Sequence, residues 1–302
     1  MIRAKILLQT LWKEGTDWDE CAKPNSVHVW CRFVENLSEV GKIEVPRWIG
    51  FSPTYNIQTH GFCDASQEAY CACLYIRCQQ DINPATTRLL VAKGKVAPLQ
   101  TISLPRLELC GAVLLSKLLN QVRSQLDLQK ASVYLWCDSS IVLAWLEKPP
   151  YVWKTYVANR ISEILKNVGN STWRHVRSND NPADLGTRGC KPQELVSHSL
   201  WWHGPEWLCT PPNSWPSSQP QKTQPPDQRT IKAFHMIEKK DVIDGFSSFA
   251  RVLRIIGYVF RFFHKCKKIS QDAGPLTQHE INNTKTRLII LAQKRYFEDE
   301  YS

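Results

Sequence analysis

Asp64, Glu108, Asp138 and Asp184 are the residues of this chain whose types and contexts could do chemistry. Asp64 ends the apolar run His60-Gly61-Phe62-Cys63, and Asp138 ends the run Val133-Tyr134-Leu135-Trp136-Cys137. Glu108 falls in the first turn of a helix expected to open at Pro105, and Asp184 follows the polar loop Ser178-Asn179-Asp180-Asn181-Pro182-Ala183. A carboxylate at the end of a buried strand is costly unless it is paired or binds a cation. Two such acids, with a third on a helix and a fourth on a loop, fit one shared site for divalent ions. Hard cations prefer oxygen ligands and keep water for exchange with substrate. Two of them about 3.5–4 Å apart activate an attacking water and stabilise a leaving oxygen. The four acids are therefore expected to ligate two Mg²⁺ ions, or Mn²⁺ in their place.

Taken singly, each acid has an ordinary structural account. Asp138-Ser139-Ser140 can cap the helix that follows, and Glu108 can complement a helix dipole. Their order and contexts together favour the constellation. Cys63, Cys71, Cys73 and Cys78 contain a Cys-x-Cys pair, which lacks zinc-knuckle spacing. They are expected to be small buried thiols. His198, His203 and Cys209 lie near one another without an evident fourth ligand, and Trp201, Trp202 and Trp207 are expected to anchor this segment by hydrophobic burial.

The elements that must position the acids follow from periodicity. Apolar runs at 60–63, 69–76 and 88–92 give three successive strands. A helix follows from Pro105 to about Ser124, with Leu107, Gly111, Leu114, Leu115, Leu118 and Val122 in one stripe. Then come a strand at 132–137, a helix at 139–147, a helix built on Trp153, Tyr156, Val157, Ile161, Ile164 and Val168, and a short strand from Trp173 to Val176. The fold class is α/β. Residues 1–50 have no obvious core and one helix near 26–40. The Pro-, Gln- and Ser-rich stretch 210–230 reads as a linker. Beyond it, 246–265 is an amphipathic helix with Phe249, Leu253, Ile256 and Phe260 on its stripe. A capping box at Thr277-Gln278-His279-Glu280 opens a last helix with Leu288, Leu291 and Ala292 on its apolar face.

The chain has 302 residues, a formal net charge of +10 and a pI near 9.1. That balance favours polyanionic partners, nucleic acid first. The 11 Cys form no regular framework and no secretory signal precedes them, so reduced thiols are expected. No run approaches the ~20 apolar residues of a membrane span, so no membrane partner is expected. An intracellular protein is expected, with cytoplasm and nucleus both open.

The order of strands, helices and acids is the ribonuclease H order. His60-Gly61-Phe62-Cys63-Asp64-Ala65-Ser66, Leu104-Pro105-Arg106-Leu107-Glu108-Leu109, Trp136-Cys137-Asp138-Ser139-Ser140, Asn181-Pro182-Ala183-Asp184 and Leu200-Trp201-Trp202-His203-Gly204-Pro205 resemble the polyprotein of BEL/Pao-type retrotransposons. The resemblance implies that 56–188 is a ribonuclease H-like mixed sheet flanked by helices, which cuts the RNA strand of RNA/DNA hybrids. It implies that 1–50 is the end of the reverse transcriptase connection, 189–230 a Trp-containing extension and linker, and 231–302 a small helical segment leading into integrase. Reverse transcriptase and integrase portions of the polyprotein are then expected partners. His175, nine residues before Asp184, stands near where ribonucleases H carry a His that assists proton transfer or product release.

No Tyr-x-Asp-Asp polymerase motif and no integrase acid triad occurs, so the chain looks like a fragment of something longer. A hybrid offers 2′-hydroxyls on one strand only, which selects the RNA strand. Lys93, Lys95, Arg106, Arg174, Arg177 and Arg188 are candidate phosphate contacts, and such contacts position without specifying sequence. Two rival readings stay open: a catalytically silent module that binds nucleic acid or a partner, and a structural tether formed by the 246–302 helices.

Overall fold

Strand residues buried on both faces need a sheet covered on both sides, and β1 (Asn56–Ala65) and β2 (Ala69–Gln79) are of this kind. With β3 (Thr86–Val96) they form the antiparallel half of a five-stranded sheet. β4 (Ser132–Cys137) runs parallel to β1, and β5 (Thr172–His175) parallel to β4, giving the order β3-β2-β1-β4-β5. The computed structural model describes residues 1–50, 52, 54–80, 84–169, 171–216, 225–229, 248–267 and 274–296. It divides into two units, Met1–Thr230 and Ile231–Ser302.

Parallel neighbours require crossover connections. Before β4 the crossover is α3 (Leu104–Gln125), and before β5 it is α4 (Ser140–Leu146) with α5 (Thr155–Val168). Pro105 lies in the first turn of α3, and all six stripe residues from Leu107 to Val122 are buried. Against them pack Cys63, Ala72, Leu74 and Leu135 from the sheet and Val157, Ile161 and Ile164 from α5. This is the expected α/β sheet flanked by helices.

The other face is covered by the segment after β5. It holds α6 (Ala183–Arg188), α7 (Pro192–Val196), α8 (Ser199–His203) and short 3-10 turns. Leu208 and Trp215 close over Phe62, Cys71, Cys73, Tyr75 and Trp136. The four thiols Cys63, Cys71, Cys73 and Cys78 are free and buried, as expected. Arg77, 1% exposed, donates from Nε to the Leu208 carbonyl at 2.6 Å and from Nη2 to the Thr210 carbonyl at 3.2 Å. His60 lies in the same layer, stacked on Tyr134 at 5.1 Å between ring centroids. Burial, with Arg77 and Arg174 nearby, lowers its pKa to about 3 and keeps the ring neutral.

Several expectations change here. Residues 1–50 hold two helices, α1 (Ile2–Glu14) and α2 (Pro24–Glu35), with a 3-10 turn over Asn36–Lys42. α1 packs on the domain: Ile2 is buried, Gln9 donates to the Ala97 carbonyl, and Arg3 Nη2 donates to the Gly189 carbonyl at 2.9 Å. Its apolar stripe is too interrupted by charge to signal a helix. The 210–230 stretch is not wholly a linker, because Trp215 is buried and Gln228 bridges Trp153.

In the second unit, α9 (Phe249–Cys266) and α10 (Gln278–Tyr296) pack against each other. Phe249 and Leu291 are exposed, contrary to the expected stripes. The buried positions are Val252, Gly257 and Arg261 on α9 and Thr284 and Leu288 on α10. The face is set by Arg261, which pairs with Glu280 and donates to the Gly274 and Pro275 carbonyls. The capping box stands: Thr277 N–H donates to Glu280 at 2.7 Å, and Glu280 N–H to Thr277 Oγ1 at 3.3 Å.

Candidate active site

The parallel register sets Cys63 opposite Cys137, so Asp64 and Asp138, the next residues, leave adjacent central strands at the same end of the sheet. α3 crosses that end closely. A Cβ at Gly111 would lie 3.1 Å from the Asp64 carbonyl oxygen, so glycine allows the approach. Glu108, three residues earlier, is thereby carried beside the strand ends, where its side chain meets the Ser139 hydroxyl. It is the fifth residue of the helix rather than a first-turn acid. Ser139, not Asp138, caps α4, accepting from Val142 N–H at 3.3 Å. Asp138 is thus free of the capping role.

The loop before α6 is tied down by Asn181, whose amide donates to the Cys63 carbonyl at 3.0 Å. α6 then lies on β2 through Gly186, where any Cβ would collide with the Cys71 sulfur. This places Thr187 and Asp184 beside Asp64: the Thr187 hydroxyl is 2.8 Å from Asp64 Oδ2 and 2.9 Å from the Asp184 carbonyl. Sequence reasoning did not find Thr187. Its only signal is a position three residues after Asp184 on a helix.

Electrostatics links the acids in a chain, Glu108 to Asp138 to Asp64 to Asp184. Burial raises the Asp64 pKa to about 7, the Asp138 charge adds to this, the Thr187 hydrogen bond opposes it, and Asp184 raises it further. Burial likewise lifts Glu108 to about 7, with Ser139 opposing and Asp138 reinforcing. Asp138 is raised by burial and pulled back by Ser178, Asn181 and His175. Ser178 donates to Asp138 Oδ2 at 3.1 Å, while Oδ1 is buried with no hydrogen-bond partner among the described residues.

A buried carboxylate oxygen without a donor is what a hard cation would take up. The set of oxygen donors suits Mg²⁺ chemistry in the same sense. Among the described residues, however, no three His, Cys, Asp or Glu side chains are gathered closely enough to enclose an ion. Mutual repulsion of carboxylates holds such a group open while no cation is present.

The basic candidates are not brought together with the acids as a set. Lys93 and Lys95 are exposed on β3, but β-ladder register puts Gly94, not the lysines, on the face of Asp64 and Cys71. Arg106 makes a bidentate pair with Asp227 and lies over the Tyr156 ring at 4.8 Å. Arg174 spreads over Tyr134, Trp136 and Trp215 at 5.0–5.7 Å. Arg188 is paired with Asp184 at 2.7 Å. Arg177 is exposed next to Ser178, whose hydroxyl meets Asp138. His175 ends β5 opposite Cys137, one residue from Asp138.

Residues 1–139 match the family model of the Pao retrotransposon-like RNaseH-like domain. The BEL/Pao resemblance is shown over that stretch. The match takes in the contexts of Asp64, Glu108 and Asp138 and stops short of Asp184. Among solved structures, the chain is similar to the LC11 ribonuclease H1 bound to an RNA/DNA hybrid, at 14% identity and a TM-score of 0.31. That likeness covers 46% of this chain and 99% of the other. It is also similar to ribonuclease H1 of Halobacterium salinarum (13%, covering 42% and 89%, TM-score 0.27). A third is the foamy viral protease-reverse transcriptase with an RNA/DNA hybrid (11%, covering 48% and 20%, TM-score 0.27). No curated protein matches the chain. The fold is the ribonuclease H-like mixed sheet flanked by helices, with additional C-terminal helices. No helix among the described residues is long and apolar enough to cross a membrane.

Proposed function

We propose that this chain is a retroelement ribonuclease H that hydrolyses the RNA strand of RNA/DNA hybrids with divalent cations held by Asp64, Glu108, Asp138 and Asp184. The observation that carries the reading is Asp138 Oδ1, buried beside Asp64 with no hydrogen-bond partner among the described residues, where burial raises Asp64, Glu108 and Asp138 alike. Bound there, Mg²⁺ or Mn²⁺ would supply a water nucleophile at neutral pH and charge neutralisation for the leaving oxygen. Asp64 and Asp138 hold the cations from two rigid strands, and Glu108 and Asp184 complete the set from α3 and α6. Thr187 orients Asp64, and Ser178 orients Asp138. His175, beside Asp138, hands a proton to the departing oxygen. Arg177, exposed next to Ser178, contacts a backbone phosphate.

Residues 1–50 would be the end of a reverse transcriptase connection and 231–302 a lead-in to integrase, with those portions as partners. One observation favours a silent binding module instead: Asp184 is engaged by Arg188 at 2.7 Å in an i,i+4 surface pair. A labelled RNA/DNA hybrid separates the two. The nuclease reading expects cleavage with Mg²⁺ or Mn²⁺ and none in EDTA. Loss of a partner that merely supports a metal ligand costs about 10–100-fold, so Asp138→Asn is expected to cost more than about 100-fold. Salt-sensitive binding without product in the wild type would establish the silent module.

A further inference from the structure

The described residues 225–229 lie across the surface formed by α3, α4 and the entry to α5 as a strap, and an acid anchors them. Asp227 Oδ1 and Oδ2 accept from Arg106 Nη2 at 3.0 Å each, and Oδ2 also accepts from Nε at 3.1 Å. Lys154 Nζ stands 3.7 Å from Oδ1. The carboxylate is 13% exposed, whereas Pro226, Gln228 and Arg229 around it are exposed. The backbone is bent to deliver it, with Asp227 at φ 67, a conformation that costs a non-glycine residue steric energy. Among the described residues the strap is further held by Lys154 N–H to the Asp227 carbonyl, Arg229 N–H to the Val152 carbonyl, and Trp145 Nε1–H to the Pro226 carbonyl, each 2.8 Å.

A planar guanidinium fork and an ammonium converging on two oxygens make an anion site whose geometry suits a phosphate as well as a carboxylate. Tyr156 backs the fork from below, with its ring 4.8 Å from Arg106 Cζ. Arg106 stands two residues before Glu108 on α3, and Trp145 lies on the helix that follows Asp138. The site therefore shares α3 with Glu108, on the α5 side of that helix. In a basic chain, two cations are here spent on an internal carboxylate.

We infer that Arg106 and Lys154 form a phosphodiester site for a nucleic-acid strand, and that Asp227 occupies it as an in-chain mimic of the phosphate. Nucleic acid and strap then compete for the same two cations, and hybrid binding lifts the strap. The inference rests on the nucleic-acid reading of the neighbouring acids but not on cleavage.

The test is made on the full chain in EDTA, where no cleavage is expected. Fluorescence anisotropy with a labelled RNA/DNA hybrid is measured over a salt series for wild type, Asp227→Asn and Asp227→Asn/Arg106→Gln. Each phosphate contact steepens the slope of log K against log salt by about 0.9. Asp227→Asn is expected to bind several-fold more tightly at low salt, with a slope steeper by about 0.9–1.8. Adding Arg106→Gln should remove about one contact of that gain. An unchanged slope in Asp227→Asn, or a gain that survives without Arg106, overturns the inference.

Hydrogen exchange on the wild type gives an arm that needs no variant. The amides of Lys154 and Arg229, bonded within the strap, should exchange faster when hybrid is added, and unchanged or greater protection overturns the competition. A chain that binds and releases its strap but never cuts with Mg²⁺ sinks the nuclease reading and leaves this one standing. A chain that binds no hybrid in any form sinks this one.

Discussion

Replacing Asp64 by Asn should make the metal-free protein more stable, although it removes a residue assigned to the chemistry. Below pH 3.8 the acid is protonated in the folded and unfolded chains alike and costs nothing. From there to about pH 7 the unfolded chain gives up its proton while the folded chain keeps it, so folding loses ground as pH rises. At 1.36 kcal/mol per pH unit, the gap between 3.8 and about 7 amounts to about 4 kcal/mol above pH 7. This is an upper figure, because Asp138 and Asp184 share in the repulsion and adjust when Asp64 is neutral. Asn retains an oxygen for the Thr187 hydroxyl. In a domain of this size each kcal/mol moves the melting temperature by roughly 2–4 °C, so a rise of up to about 8–16 °C is expected at pH 8. The assay is thermal unfolding in EDTA from pH 4 to 8, followed by the same scan with Mg²⁺. Wild type and variant should converge at pH 4 and separate as pH rises. Mg²⁺ should then stabilise the wild type and not the variant. If Asp64→Asn melts at or below wild type at pH 8 while matching it at pH 4, the carboxylates do not crowd one another and the argument for a cation site falls.

Three further substitutions probe what holds the site and the second unit. Gly186→Ala puts a methyl into Cys71 and must push α6 off β2, so it should lower the melting temperature and also weaken Mg²⁺ stabilisation by displacing Thr187 and Asp184; loss of stability alone would separate α6 from the site. Trp215→Ala should cost about 3–5 kcal/mol in urea unfolding, because it uncovers the aromatic layer over Phe62 and Trp136, and a cost under about 1 kcal/mol would mean the 3-10 segment contributes little. Arg261→Ala removes the cation paired with Glu280 and the donor to two carbonyls, so a loss of about 1.5–3 kcal/mol should appear as an early calorimetric transition assigned to the second unit by hydrogen exchange in α9 and α10.

The strands and the long helices were legible because each satisfies one strong local rule. β1, β2 and β4 are apolar runs ended by polar turns, and α3 couples an N-terminal Pro to an unbroken stripe. α1 was not legible, because its residues become apolar-facing only against a domain already folded: Ile2 is buried on Gly189 and Gly94, glycines that lie far away in sequence. On α9 the expected stripe holds at Leu253, Ile256 and Phe260, which are half-buried, and fails at Phe249. Periodicity treats Arg261 as an interruption, yet its charge is neutralised by Glu280 and its donors by loop carbonyls, so it faces the partner helix while Phe249 faces solvent. Composition missed the burial of Trp215, because a single indole can bury more apolar area than several Pro and Ser, while residues 217–224 and 230 of that stretch lie outside the described residues.

The acids were legible as positions and not as neighbours. Sequence gives two strand ends and a helix, but the parallel register of Cys63 with Cys137 puts Asp64 beside Asp138, and the missing Cβ at Gly111 eases the close approach of the helix that carries Glu108. The basic residues were legible as charges and not as contacts, because charge in a sequence carries no direction. Arg106, Arg174 and Arg188 each met an internal partner before any solvent-borne phosphate could. That asymmetry has a physical cause. A buried carboxylate has few ways to be satisfied, so its presence at a strand end is informative. A surface arginine can stack, pair or bond to a carbonyl at little cost, so its role is decided by whatever the fold places within reach.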